Sequence, residues 1–345
     1  MSANVISWSW SPSAAEGHLE GAKGLQERLR ESALDRTATS REVTIEAAQQ
    51  MTGWLEERPK SWGLAPEGAQ AAAAELEAGW AEWNKNHGWR ATCSTFLDSV
   101  RGAYHGALSL RKSLIDELEN WLACDNRAGT KPNQDQGHRL VDRQAVVPHA
   151  LRVLERGETV LIHGYSSTLL GCLKAAQTAG LFPKVLVGLG APDQSGKRMA
   201  RELSTSGIQV RLAWDAAVMG AVASVDRIWL GTEAVGSQHF TGLVGTQMLL
   251  MEARRNEVPA NILCTSDKLA PASEIKLPAW GFSEHWNLWS HGPNEVQIES
   301  QPYELVDASL VSTWITEEGP ESLAAFCTRS LRTNIAAPCS TEKGL

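Results

Sequence analysis

Four short runs of β-branched and aliphatic residues punctuate the middle of the chain: Thr159-Val160-Leu161-Ile162, Lys184-Val185-Leu186-Val187, Gln209-Val210-Arg211-Leu212 and Arg227-Ile228-Trp229-Leu230. They lack the strict polar–apolar alternation of a half-exposed strand. Strands covered on both faces read this way. Helical spacing of apolar residues fills the intervals, so the pattern predicts an α/β fold with a parallel sheet. Asn261-Ile262-Leu263-Cys264-Thr265 supplies a fifth strand after a helix over 245–255. Upstream, 25–30, 43–55, 69–83 and 95–122 carry helical spacing, with Thr39 or Ser40 as an N-cap and a loop over 59–66. Residues 125–139 are polar and turn-rich, and a helix over 142–156 leads into the first strand. The expected organisation is a helical domain over 1–125, a linker or exposed loop over 126–141, a parallel-sheet domain over 142–332, and a disordered tail over 333–345.

In folds of this class, ligands sit beyond the carboxyl ends of the strands. Those ends carry His163-Gly164-Tyr165-Ser166-Ser167, Gly188-Leu189-Gly190-Ala191-Pro192, Trp214-Asp215 and Gly231-Thr232-Glu233. Ser166, Ser167 and Thr168 stand where the following helix begins, and either they cap it in the ordinary way or its free N–H groups receive an anion. Asp215 and Glu233 at neighbouring strand ends either cap their own helices or face one pocket, where they share a proton or bind hydroxyls. Residues 236–245 read as a glycine-rich turn before a helix, with neither the Walker A nor the dinucleotide spacing.

Composition narrows the classes. At 345 residues two domains are expected. A net charge of −8 argues against nucleic acid or an anionic membrane as partner. No stretch approaches the roughly 20 apolar residues of a bilayer span. Six cysteines without a Cys-x-x-Cys pair form neither a zinc site nor a disulfide framework, which reads as reduced thiols in the cytoplasm. No metal or cofactor is expected. Fourteen tryptophans read chiefly as core and interface packing.

Six blocks in order then carry a resemblance: residues 157–166, 195–203, 214–218, 225–235, Val244-Gly245-Thr246, and Ile315-Thr316-Glu317-Glu318-Gly319. Together they resemble the alpha, beta and delta regulatory subunits of initiation factor 2B. Methylthioribose-1-phosphate and ribose-1,5-bisphosphate isomerases share that superfamily. The resemblance implies an N-terminal helical domain on a Rossmann-like domain, a sugar-phosphate or nucleotide pocket between them, and dimerisation through the C-terminal domain.

It also implies a cysteine and an aspartate as the isomerase pair, and here those positions are Gly164 and Glu233. The arginine and lysine positions of two further isomerase blocks are Ala191 and Leu243. A glycine cannot act as thiolate and a leucine cannot hold a phosphate. The expectation is therefore a non-catalytic, metabolite-binding homologue of the alpha regulatory type, a homodimer or an associate of related subunits. The residues expected to hold its phosphorylated ligand are His163, Gly164, Ser166, Ser167, Thr168, Asp215 and Glu233, with Arg90 reaching in from the helical domain. Two alternatives stand beside it. One is a divergent isomerase of a phosphorylated pentose, using Glu233 and Asp215 as catalytic residues. The other is an assembly subunit with an empty pocket.

Overall fold

The computed structural model describes residues 24–30, 40–58, 62, 66–87, 90–105, 110–126, 143–270, 275, 277, 289, 293, 295–296 and 301–328. The expected linker, Asn126 aside, and the expected tail lie outside these residues.

Among the described residues the N-terminal part holds helices α1 (24–30), α2 (Ser40–Glu56), α3 (Pro66–His87), α4 (Ala91–His105) and α5 (Leu110–Asn126). Pro66 opens α3, where a missing N–H leaves no gap in the ladder. The single stretch of helical spacing over 95–122 is two helices, α4 and α5, packed on one another. Periodicity alone does not mark such a fold-back, since both helices keep the same apolar spacing. Leu25, Val43, Met51, Trp54, Leu76, Trp80, Trp83, Phe96 and Trp121 belong to a core of their own. Its rings meet edge to face: Trp80 and Trp83 centroids lie 5.4 Å apart, those of Phe96 and Trp121 5.1 Å. Such pairs are each worth about 0.5–1.5 kcal/mol beyond their buried area. The packing role read for the tryptophans holds here, but Trp214 is 74% exposed.

The second part begins with a 3-10 turn, Arg143–Val146, and α6 (Val147–Val153). This helix is shorter than the expected 142–156, because Leu154 is already extended (ψ 126°) as the chain turns toward the first strand. Strands β1 (Thr159–His163), β2 (Lys184–Gly188), β3 (Gln209–Ala213), β4 (Arg227–Leu230), β6 (Ala260–Leu263), β8 (Thr313–Thr316) and β9 (Gly319–Glu321) make one sheet in the order β3-β2-β1-β4-β6-β8-β9. All neighbours are parallel except β8 and β9.

Alternate strand residues feed two cores. Leu161, Ile228, Ile262 and Trp314 point to one face, and Val160, Ile162, Val187, Trp229, Leu263 and Ile315 to the other. Helices α7 (Ser167–Thr178), α8 (Gly196–Thr205), α9 (Asp215–Gly220) and α10 (Thr246–Arg255) cover the sheet. Burying each strand residue on both faces is worth about 1.5–3 kcal/mol per large aliphatic side chain. That is why β1, β2, β4 and β6 show no polar alternation, whereas the edge strand β3 stays exposed or half-buried throughout.

The glycine-rich turn expected over 236–245 is instead a strand. Residues His239–Leu243 form β5, paired antiparallel with β7 (Tyr303–Asp307), with Leu243 opposite Tyr303. Its partner lies some sixty residues downstream, so no local signal distinguishes the strand from a loop.

Candidate functional site

The chain leaves β1 for β2 on one side and later crosses back to place β4 on the other, so the topological switch point lies between β1 and β4. A cavity opens at the carboxyl ends there, the place where open α/β sheets receive ligands. The β1 loop contributes His163, Tyr165, Ser166, Ser167 and Thr168, and the β4 loop Gly231, Thr232 and Glu233. Thr265, Asp267 and Lys268 come from the β6 loop, Asp193 and Ser195 from the β2 loop. Leu243, Thr246 and Tyr303 complete the wall, with Arg41 from α2 and Arg143 from the turn before α6.

Helix α7 points its N-terminus at this space. Ser166 is extended (φ −146°, ψ 124°), and its hydroxyl accepts the N–H of Leu169 at 3.4 Å. One of the first-turn donors is thereby satisfied within the helix, and the positive end of the macrodipole faces the cavity. Arg41 and Arg143 add two guanidinium groups to the same wall.

Opposite charges meet at Glu233. Its carboxylate takes the Lys268 ammonium at 2.9 Å, both side chains being mostly buried. Arg90, 1% exposed, opens α4 behind this pair. Burial opposes its charge, but Glu233 and Tyr303 more than compensate and hold its pKa above the ordinary value. Lys268 is raised in the same way: burial works against it, and Glu233 and Asp267 outweigh that. Burial together with the neighbouring carboxylates pushes up the Tyr303 hydroxyl despite Arg90 beside it. The helical part is tied to the sheet at the same place. The backbone N–H of Ala91 donates to the carbonyl of Glu233 at 3.1 Å, and the Thr92 hydroxyl donates to Asp267 Oδ2 at 2.7 Å.

A second buried group surrounds His163. Its Nε2 lies 3.2 Å from Asp215 Oδ1, and its Nδ1 3.3 Å from the Thr246 hydroxyl. The Asp215 carboxylate also accepts the N–H groups of Gly190 and Ala191, each at 2.8 Å. Burial works against its ionisation, but His163 and these two N–H donors prevail and lower its pKa. Asp193, held beside Ser195 by a 3.0 Å bond from the Ser195 N–H, is instead raised by burial.

Of the residues expected at the site, His163, Ser166, Ser167, Thr168 and Glu233 share the cavity wall. Asp215, Gly164 and Arg90 are set back from it. Asp215 is turned onto the β2 loop by its two backbone donors, Gly164 lies under Leu243, and Arg90 sits behind Glu233 and Tyr303. Neither carboxylate caps its own helix through its side chain. Asp215 bonds the β2 loop and Glu233 bonds Lys268.

Sequence reasoning missed Lys268, Asp193, Ser195 and Thr246, and the two wall arginines Arg41 and Arg143. Lys268 could have been found, since it follows the fifth strand at the same carboxyl edge. Arg41 and Arg143 carry no local signal. Among the described residues, no group of three or more His, Cys, Asp or Glu is arranged to hold a metal ion. No helix among them is long and apolar enough to cross a membrane.

Comparison with known proteins places this architecture. The chain is similar to translation initiation factor eIF2B subunit alpha of Dictyostelium discoideum, at 27% identity over 176 residues, covering 51% of this chain and 54% of that protein. It is similar to ribose 1,5-bisphosphate isomerase of Haloferax volcanii, at 26% identity over 220 residues, covering 61% and 64%. The aligned regions thus span from about half to just under two thirds of these relatives' length. The crystal structure of the Pyrococcus horikoshii translation initiation factor eIF-2B superposes with a TM-score of 0.68 at 19% identity, covering 86% of this chain and 96% of that one, and shares the fold. The model of the initiation factor 2 subunit family matches residues 105–320, and the chain belongs to that family.

Proposed function

We propose that this protein binds a phosphorylated small molecule, a sugar phosphate or a nucleoside monophosphate, without turning it over. The observation that carries the reading is the cavity at the switch point, lined by the N-terminus of α7 and by Arg41 and Arg143. A phosphate there gains charge-assisted hydrogen bonds from N–H groups and guanidinium forks. Two features favour binding over isomerisation. No thiol stands at Gly164, and the carboxylate of Glu233 is engaged by Lys268 rather than open to a substrate proton.

Thermal denaturation of the full chain with a panel of sugar phosphates and nucleoside monophosphates tests this. A ligand at 100 times its Kd should stabilise the protein by about 2.7 kcal/mol. No rise in Tm with any of them leaves the assembly subunit with an empty pocket. Turnover of a phosphorylated pentose, followed by the aldose–ketose ratio, would favour the isomerase reading, which the Haloferax relative supports by its name.

The same proposal includes self-association or assembly with related subunits. Met248 and Met251 on α10, Val244 at the end of β5 and Leu305 on β7 are between 42% and 65% exposed, and α10 packs against β7. Apolar surface gathered on adjoining elements is characteristic of a subunit interface. We place the boundary between the helical and sheet domains at 126–141.

A further inference from the structure

Strand β3 ends the sheet, with β2 on one side and, among the described residues, no strand on the other. The carbonyl of Ala213 accepts the N–H of Leu189 at 2.9 Å. Backbone groups alternate sides along a strand, so Gln209, Arg211 and Ala213 turn theirs toward β2, and Val210 and Leu212 aim their N–H and C=O groups outward. Side chains alternate between the faces of the sheet. Val210 packs with Met199 and Leu203 of α8, and Ala213 with Val218 of α9. Leu212 therefore lies on the α8 face and Arg211 on the α9 face. Leu212 is 44% exposed, and Trp214, just beyond the strand, is the most exposed large apolar side chain among the described residues. The charge at this edge is opposite to that of the whole chain, which carries −8. Between Leu203 and Val225 the charged residues are Arg211 and Asp215, and Asp215 is held by the N–H groups of Gly190 and Ala191. Lys184, opposite Gln209 in the ladder, is exposed on the same face as Arg211. Lys197 and Arg201 of α8 are exposed too, and the one acid of that helix, Glu202, is bonded by Arg198.

We propose that β3 is a docking edge for an extended acidic segment of a partner protein. An open strand edge is a template for another extended backbone, and its flanking side chains select the sequence. The segment adds one strand outside β3, pairing with the outward groups of Val210 and Leu212. Its carboxylates lie on the face of Arg211 and Lys184, and its apolar residues lie on the face of Leu212, with Trp214 as a further apolar contact at the end of the edge. Acidic and apolar residues therefore alternate along it. A second copy of this chain is a poorer occupant, because antiparallel pairing of two β3 edges about Arg211 sets that guanidinium against its own copy.

Fluorescence polarisation of the full chain with a labelled heptapeptide alternating glutamate and valine tests this. The controls are its lysine–valine counterpart and the fully N-methylated acidic peptide, which cannot donate to a strand. The acidic peptide should bind at least about tenfold more tightly than either control, and it should slow amide exchange at Val210 and Leu212. Arg211→Glu should reverse the preference between the glutamate and lysine peptides, and Trp214→Ser should weaken binding of both. Both side chains are exposed, so neither change disturbs the core. Failure of the acidic peptide to bind, equal affinity for all three peptides, binding without protection of Val210 and Leu212, or affinities unchanged in both variants would overturn the proposal. Light scattering in which Arg211→Glu or Trp214→Ser turns an assembled wild type into monomer would assign the edge to a second copy of this chain and overturn it as well.

Discussion

At the scale of single residues, glycine at 164 is a packing requirement. Two costs coincide there, a positive φ that L-residues avoid and the Leu243 methyl 2.3 Å from any added Cβ. Gly164→Ala should destabilise the protein by about 2–4 kcal/mol in urea denaturation, the sum of a strained backbone and an overpacked contact. Gly164→Ala with Leu243→Ala should cost less than the sum of the two single changes, because the truncation removes the clash and leaves only the strain. Strictly additive values would show that Leu243 is not what confines residue 164.

Asp215 gives a pH signature at the same scale. Its carboxyl is held below the ordinary value, so the ionised form contributes stability above the usual carboxylate range. That contribution is lost as pH falls through the folded-state pKa. The acid limb of the Tm profile, below about pH 4, should flatten in Asp215→Asn. An acid limb identical in wild type and variant would contradict the bonding of Asp215 to Gly190, Ala191 and His163.

At the scale of elements, helix α2 is fastened to α8 by Arg198. That guanidinium bonds Glu42 of α2 at 2.6 Å and Glu202 of its own helix at 3.1 Å, and lies 4.0 Å over the Tyr165 ring. These groups are partly exposed, so the contribution is modest, about 1 kcal/mol. Its effect is local nonetheless, since Arg41 precedes Glu42 and lines the cavity. Arg198→Ala should speed amide exchange in the first two turns of α2 while leaving β1, β2 and β4 protected. Unchanged exchange over residues 40–50 would mean that α2 is held by its core contacts alone. The aromatic core of the helical part makes the contrast clear. Trp80, Trp83, Phe96 and Trp121 hold α3, α4 and α5 together by buried area, whereas the seam to the sheet, among the described residues, combines polar bonds with the buried Arg90, Ala91 and Thr92.

At the scale of the whole molecule, the proposed assembly has a direct test. Light scattering at micromolar concentration should report a dimer or larger species, and Met248→Glu should shift it toward monomer. Placing a carboxylate in an apolar interface costs several kcal/mol, while on a solvated face it costs almost nothing. A monomeric wild type, or a Met248→Glu variant that assembles normally, would remove this face from consideration.

The sequence by itself determined the parallel sheet and its carboxyl-edge loops. Thr159–His163, Lys184–Gly188 and Arg227–Leu230 are strands at the expected positions, because double-sided burial leaves a local mark in the residue pattern, and the edge strand Gln209–Ala213 is also where expected although most of it is exposed. The order of those strands implied that His163, Ser166 and Glu233 lie at one edge. Tertiary structure alone decided the rest. The strand His239–Leu243 depends on a partner at Tyr303–Asp307, and the separation of α4 from α5 depends on where the chain folds back. Arg41 and Arg143 reach the cavity from segments with no motif, whereas Arg90, expected to close the pocket from the helical domain with a guanidinium contact to the phosphate, is drawn behind Glu233 and Tyr303. The physical reason is common to all four. Helical and strand periodicity is written over a few neighbouring residues. Side-chain pairing, by contrast, is set by whichever charge or surface the fold brings close, across separations that no local pattern encodes.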